Sequence, residues 1–142
     1  MEDGKIKHLE MIQNTITRMA NNSFLLKGWA VTLLAGIFAL VWEKDGLLHY
    51  LLAYIPVFMF WFLDAYYLQQ ERLYRGLYDE VRQSSTNILF SMSPPSTSTK
   101  NSYCYINVLF SKTEVGFYVP LIVLITVVLI VTTFNFGCQC LD

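Results

Sequence analysis

Hydrophobic residues are concentrated in three blocks along the chain, and polar stretches separate these blocks. The blocks extend over residues 24–42, 47–66 and 112–136. A helix needs roughly 20 apolar residues to cross about 30 Å of hydrocarbon, and lipid cannot bond to the peptide groups of an irregular segment. The pattern therefore predicts an all-α membrane protein with three transmembrane helices, one for each block.

Apolar residues also form a helical face before the first block. Ile6, Leu9, Ile12 and Ile16 follow one another at spacings of three and four residues, which is the spacing of one helix face. Neither Pro nor Gly interrupts the chain between residues 5 and 27. We therefore predict a single first helix over residues 4–42, about 58 Å long at 1.5 Å per residue.

The second helix is predicted to begin at residue 47 and to extend past its apolar block to residue 83. Leu73, Leu77 and Val81 give the extension an apolar face. Residues 43–46 alone separate the first two blocks, and they contain an Asp-Gly pair that favours a turn. The first two helices are thus predicted to form a long antiparallel hairpin that extends into the cytoplasm.

Residues 84–110 are predicted to form a cytoplasmic loop followed by an interfacial segment. The loop is rich in Ser, Thr, Pro and Asn, which are turn-forming residues. The apolar and aromatic residues 103–110 fit a short helix or a strand beneath the lipid headgroups. Ser111 and Glu114 then have the spacing of a capping box, which predicts a helix start at this position.

The last residues, 137–142, are predicted to form a tail outside the membrane. Cys138 and Cys140 lie in this tail. An oxidising outer compartment would permit an intermolecular disulfide there, and the alternative is that both thiols are incidental.

Opposite charges are predicted to lie at matching heights in the hairpin. A turn centred between residues 44 and 45 places Lys27 within one helical turn of Asp64, and it places Arg18 level with Glu71. We interpret these as two ion pairs that set the register of the hairpin or gate it. For Lys27 and Asp64, the alternative is that the lysine reaches the headgroups and the carboxylate meets water.

Polar residues of the third block have two interpretations. Thr126, Thr132, Thr133 and Asn135 lie along the predicted third helix. They would line a pore if several copies of the chain assembled around one. They would otherwise hydrogen-bond within or between helices, as hydroxyl side chains in membrane helices commonly do.

The distribution of positive charge predicts the orientation. Of the ten Lys and Arg residues, only Lys44 lies in the turn between the first two blocks, and none follows the third block. The others lie at or before the start of the first span, or between the second span and the start of the third. Positive residues favour the cytoplasmic side, so we expect the N-terminus inside and the C-terminus outside.

Composition removes several classes of function. The chain of 142 residues is 54% hydrophobic and has a formal net charge of −1, so no basic surface points to direct nucleic-acid binding. We found no phosphate loop, no dinucleotide-binding fingerprint and no metal-ligand spacing. His8 and His49 fall on opposite sides of the membrane in the predicted topology. We therefore expect no enzyme activity, no cofactor and no metal site.

Several strings in the chain resemble those of a family of small bacterial multi-helix membrane proteins. The strings are His8–Gln13, Arg18–Trp29, Phe60–Leu68, Glu71–Arg75, Leu77–Arg82 and Phe110–Thr113.

In size and layout the chain is also similar to the small membrane effectors of anti-phage defence systems. This looser likeness implies a homo-oligomer in the bacterial inner membrane, which perforates or depolarises the membrane once a nucleotide signal or a cytoplasmic protein partner is sensed. A non-catalytic membrane anchor or adaptor that scaffolds a soluble partner is the alternative.

Overall fold

All regular structure in the described part of the chain is helical. The computed structural model describes residues 2–41, 51–83, 92–93 and 104–139. Its long helices are α1 (Glu2–Val41), α2 (Tyr54–Gln83) and α4 (Lys112–Gln139), and the short helix α3 (Tyr105–Leu109) precedes α4. The all-α prediction is confirmed.

The first helix is continuous, as the sequence predicts. It has 40 residues, so it is about 60 Å long at 1.5 Å per residue. The apolar block and the amphipathic segment before it therefore share one helix axis. A displacement of the N-terminal half of α1 can thus be transmitted directly to its apolar half.

The second long helix begins later than predicted. It starts at Tyr54, and residues 52–53 form a turn in front of it, where the Ile55 amide donates to the Leu52 carbonyl at 3.3 Å. The prediction of a continuous helix from residue 47 is therefore wrong. Pro56 gives the physical reason, because a residue without an N–H is best tolerated in the first turn of a helix. Residues 42–50, including the predicted turn, lie outside the described residues.

Helices α1 and α2 pack against each other in antiparallel directions. At one end, the Lys5 ammonium donates to the Arg82 carbonyl at 3.2 Å. Next to it lies a group of buried side chains that we call the stalk cluster. It consists of Ile12, Ile16, Leu77 and Val81. Burial of each such side chain stabilises the pair by about 1.5–3 kcal/mol.

The apolar halves of the helices meet in a second group, which we call the apolar cluster. It consists of Ala30, Leu34, Ala53, Val57, Tyr118 and Ile125. Tyr118 and Ile125 belong to α4, so the third long helix packs against the same end of the α1–α2 pair. The small residue Ala30 on α1 lies in this cluster with Ala53 from the turn before α2, and small residues are common where membrane helices pack.

The short helix α3 is fastened to α2 by polar contacts. The Trp61 indole N–H donates to the Leu109 carbonyl at 3.1 Å, and the Tyr105 hydroxyl donates to the Phe62 carbonyl at 2.8 Å. Of the two predicted forms of this segment, helix or strand, the structure has the helix. Helix α4 continues to Gln139, so the first three residues of the predicted tail are helical.

Two helical segments are long and apolar enough to cross a membrane, namely Asp3–Leu40 and Lys112–Phe134. Only 17% of the apolar window in the first and 11% of that in the second is buried. The apolar core helix of a soluble domain would be mostly buried. The exposure of both helices therefore favours membrane association.

Candidate functional site

Polar side chains from α1, α2 and α4 meet in a group that we call the charge cluster. It consists of Ser23, Lys27, Asp64, Glu114 and Tyr118. Asp64, Glu114 and Tyr118 are fully buried, Ser23 is 8% exposed, and the Lys27 side chain is 17% exposed. Buried charges are costly unless they are paired and hydrogen-bonded, so the contacts within this cluster decide whether the helices can pack.

Asp64 is the most fully bonded member of the cluster. Its Oδ1 accepts a hydrogen bond from the Ser23 hydroxyl, and its Oδ2 forms an ion pair with the Lys27 ammonium. The Tyr118 hydroxyl also donates to Oδ2, at 3.1 Å. Both oxygens therefore have donors, which offsets the cost of burying this polar group.

Glu114 is bonded less completely. The Lys27 ammonium lies 3.2 Å from its Oε1, whereas Oε2 is buried and has no hydrogen-bond partner within the described segments. The Glu114 and Asp64 carboxyl groups are neighbours, because both contact the same Lys27 ammonium. Tyr105 lies nearby on α3, and partial burial raises the pKa of its hydroxyl group.

Helical spacing brings the members of the cluster together. Ser23 and Lys27 are one turn apart on α1, and the Lys27 ammonium donates to the Ser23 hydroxyl at 3.2 Å. Glu114 and Tyr118 are likewise one turn apart on α4. Residues four apart share a helix face, so each outer helix presents two polar groups toward Asp64 on α2.

Aromatic rings border the charge cluster. The Trp61 and Tyr118 rings are stacked, with centroids 5.9 Å apart and planes inclined by 12°. The Lys27 ammonium lies 5.8 Å from the centroid of the Phe117 ring, which is within the range of a cation–π interaction. These rings limit access of water to the ion pairs and thereby strengthen them.

The structure places one predicted ion pair in contact and not the other. Lys27 and Asp64 meet, as their predicted heights require. The predicted pair of Arg18 with Glu71 is wrong, because Glu71 bonds to Arg75 at 2.8 Å on its own helix. Arg18 forms no ion pair with any residue in the described ranges. A partner one turn away on the same helix is reached with less ordering of long side chains than a partner across two helices.

The threonines of α4 make hydrogen bonds within and between helices. The Thr126 hydroxyl donates to the Ile122 carbonyl at 2.7 Å, so the Tyr54 hydroxyl at 2.8 Å is the donor to Thr126. Thr132 and Thr133 each bond to carbonyls of their own helix. These contacts favour the interhelical interpretation for Thr126. The side chains of Asn135 and Cys138 and all of residues 140–142, including Cys140, lie outside the described part.

Sequence reasoning missed three members of the cluster, namely Ser23, Glu114 and Tyr118. Glu114 was assigned to a capping box with Ser111; the predicted helix start is confirmed, since α4 begins at Lys112, but the capping hydrogen bonds are not formed. The Ser111 hydroxyl is buried with no hydrogen-bond partner in the described ranges, and Glu114 bonds to Lys27 instead. The available signal was the pairing of polar residues four apart at the edges of two apolar blocks.

The cluster contains acidic and basic groups but no evident nucleophile or metal-binding set. Within the residues that the structure describes, no group of three His, Cys, Asp or Glu side chains could hold a metal ion. The contacts that the structure shows in the cluster are ion pairs and hydrogen bonds between helices. No protein-family model, curated protein or solved structure matches the chain.

Proposed function

We propose that this protein is an oligomeric inner-membrane effector of a bacterial defence or stress system, which depolarises the membrane when triggered through its cytoplasmic helices. The observation that carries the proposal is the charge cluster between two largely exposed apolar helices. Ionisable residues inside membrane segments are costly, and they usually serve ion pathways, proton transfer or gating.

In the proposed topology the chain crosses the membrane three times, at residues 24–42, in the apolar block that ends at residue 66, and at residues 112–136. The first two spans form a hairpin with its turn outside, and the N-terminus lies in the cytoplasm because positive residues favour that side. The charge cluster then lies near the cytoplasmic edge of the membrane. The stalk cluster lies in the cytoplasm, where a protein partner or a nucleotide signal can reach it.

The charge cluster would stabilise the resting, impermeable state of the protein. Lys27 bonds to α2 and α4 at once, and α1 continues without a break from Lys27 to the stalk cluster. A partner that shifts α1 against α2 in the stalk would therefore pull Lys27 away from its carboxylates. Three helices of one chain cannot enclose an aqueous path, so the permeable state requires several copies.

The proposal is tested by the membrane potential of bacterial cells that produce the protein, measured with a potential-sensitive dye. We expect loss of potential when the chain is produced with its genomic neighbours and the cells are challenged with phage. The Lys27→Met variant should depolarise cells without the challenge, whereas Lys7→Met, which alters an exposed lysine, should behave as wild type. An intact potential under a challenge that engages the system would contradict the proposal.

A non-catalytic membrane adaptor is the second candidate, and the stalk supports it. The α1–α2 pair is packed along the stalk cluster, while Ile6 and Met11 on α1 remain exposed at 63% and 47%. These side chains could contact a soluble partner. An adaptor would leave the membrane potential intact in every variant, and Ile6→Asp would release the partner from the membrane fraction without altering insertion of the chain.

A further inference from the structure

The charge cluster contains more acidic than basic groups. Lys27 on α1 is the one ammonium group that bonds to Asp64 on α2 and Glu114 on α4 among the described residues. The other titratable groups around them are the hydroxyls of Tyr118 on α4 and Tyr105 on α3. With both carboxyl groups ionised, the buried cluster would carry one uncompensated negative charge.

We propose that Asp64 and Glu114 form a proton-binding site, in which Glu114 holds one proton and donates it in a hydrogen bond to the Asp64 carboxylate. Two carboxylates cannot hydrogen-bond to each other unless one carries a proton. Both carboxyl groups contact the same Lys27 ammonium, so they are immediate neighbours, and neighbouring carboxyl groups that share a site commonly hold a single proton between them.

The distribution of donors assigns the proton to Glu114. Asp64 accepts from Ser23, Lys27 and Tyr118. Within the described segments, Glu114 accepts a side-chain hydrogen bond from Lys27 alone, and its Oε2 is buried with no donor in contact. Protonation of Glu114 therefore removes the negative charge that has fewer hydrogen-bond donors than that of Asp64. The O–H group formed then has the Asp64 carboxylate as its acceptor.

Release of the proton has a structural consequence. The proton leaves to water, and the O–H bond of Glu114 is replaced by a carboxylate that faces the Asp64 carboxylate. The hydrogen bond between α4 and α2 is then lost and repulsion takes its place, so α4 should loosen from the α1–α2 pair. The proton site stands whether or not the protein depolarises membranes, because the bound proton can be observed directly.

Infrared spectroscopy of the purified full chain in maltoside detergent, which has no carbonyl group of its own, tests the site. At neutral pH we expect a carbonyl band of a protonated carboxylic acid, shifted in D₂O and lost as the pH is raised. The band should disappear in Glu114→Gln. It should also disappear in Asp64→Asn, because Glu114 would then ionise as the sole carboxylate beside Lys27. Glu80→Gln, which alters an exposed carboxylate, should keep the band.

The wild-type spectrum alone can overturn the proton site, so the outcome does not depend on the folding of the variants. Absence of the band at neutral pH in the wild type would overturn it, as would a band that persists in both cluster variants. The proposal would also be overturned if Na⁺ raised the thermal stability of the protein while the carbonyl band of a protonated carboxylic acid was absent. The site would then hold a metal cation. Circular dichroism of each variant establishes that its helices are retained.

Discussion

The Lys27 ammonium lies 3.2 Å from the Oε1 atom of Glu114, although the two residues are 87 positions apart in the chain. The same ammonium group is paired with Asp64. One side chain therefore joins α1, α2 and α4, and it does so where α4 has just begun. Helix α4 also packs against α2 through the apolar cluster, the stacked rings of Trp61 and Tyr118, and the Tyr54–Thr126 hydrogen bond.

Replacement of Lys27 by Met should destabilise the protein strongly. The methionine keeps most of the volume but leaves Asp64 and Glu114 buried without a cation, and removing one partner of a buried ion pair typically costs about 3–5 kcal/mol. The free energy of unfolding in detergent micelles, followed by circular dichroism, measures this change. The loss should shrink as the pH falls, because protonation then neutralises the uncompensated carboxylates.

Lys7→Met is the matched control for this substitution. Lys7 is exposed on α1, and surface substitutions usually change stability by less than about 0.5 kcal/mol. An equal loss of stability in both variants would mean that Lys27 contributes through the net charge of the protein and not through its contacts in the charge cluster.

The two carboxyl groups should respond unequally to neutral substitution. Asp64→Asn weakens bonds from three donors, whereas Glu114→Gln weakens one and replaces a group that is neutral in the proposed proton site. We therefore expect a larger loss of thermal stability for Asp64→Asn than for Glu114→Gln. Equal losses, or the reverse order, would show that Glu114 is ionised in the folded protein. Glu80→Gln gives the baseline for an exposed acid.

The periodic parts of the fold could be predicted because apolar spacing acts locally. The spacing of Ile12 and Ile16 on α1 and of Leu77 and Val81 on α2 placed the stalk cluster on the correct faces. Antiparallel packing of the two helices was expected because few residues separate the two apolar blocks in the sequence. The start of α2 at Tyr54 was missed because the apolar block is uniform, and only Pro56 distinguishes one end of it.

The charge cluster could be predicted only in part, for a reason of geometry. Lys27 and Asp64 lie on neighbouring helices joined by a short connection, so their heights follow from counting residues. Glu114 follows a connection of about 28 residues after α2, and no count of residues fixes where α4 then packs. From the local sequence, Glu114 was expected to cap the start of α4. In the structure its side chain pairs with Lys27 on α1 instead.

Replacement of Trp61 by Phe should loosen α3 from α2. The ring can still stack on Tyr118, but the hydrogen bond from the indole N–H to the Leu109 carbonyl is lost. A hydrogen bond of this kind contributes about 0.5–1.5 kcal/mol. Hydrogen exchange of the amides in Tyr105–Leu109 measures the local effect, and it should become faster.

Trp29→Phe serves as the comparison, since the Trp29 side chain is 59% exposed on α1. It should leave hydrogen exchange in α3 unchanged. Unchanged exchange in Trp61→Phe as well would show that the Tyr105 bond to the Phe62 carbonyl suffices to hold α3.

Truncation of Ile12 should weaken the α1–α2 stalk. Ile12 is fully buried in the stalk cluster, and replacing a buried isoleucine by alanine typically costs about 2–5 kcal/mol. Limited proteolysis of the stalk in micelles should become faster in Ile12→Ala. Ile6→Ala on the same helix removes an exposed side chain and should have little effect, so equal sensitivity of both variants would argue against a packed stalk.

Tyr54 and Thr126 should be coupled in stability, because their hydroxyl groups join α2 to α4 at 2.8 Å. Tyr54→Phe and Thr126→Val each break this bond, so the double variant should lose less stability than the two single variants lose together. Hydrogen bonds between membrane helices measured in this way average about 0.6 kcal/mol and reach about 1.7 kcal/mol. Thr133→Val is the control, since Thr133 bonds to carbonyls of its own helix and should show no coupling to Tyr54→Phe. Strict additivity for Thr126 would instead favour a pore-lining role, in which its hydroxyl faces water in an assembly of several copies.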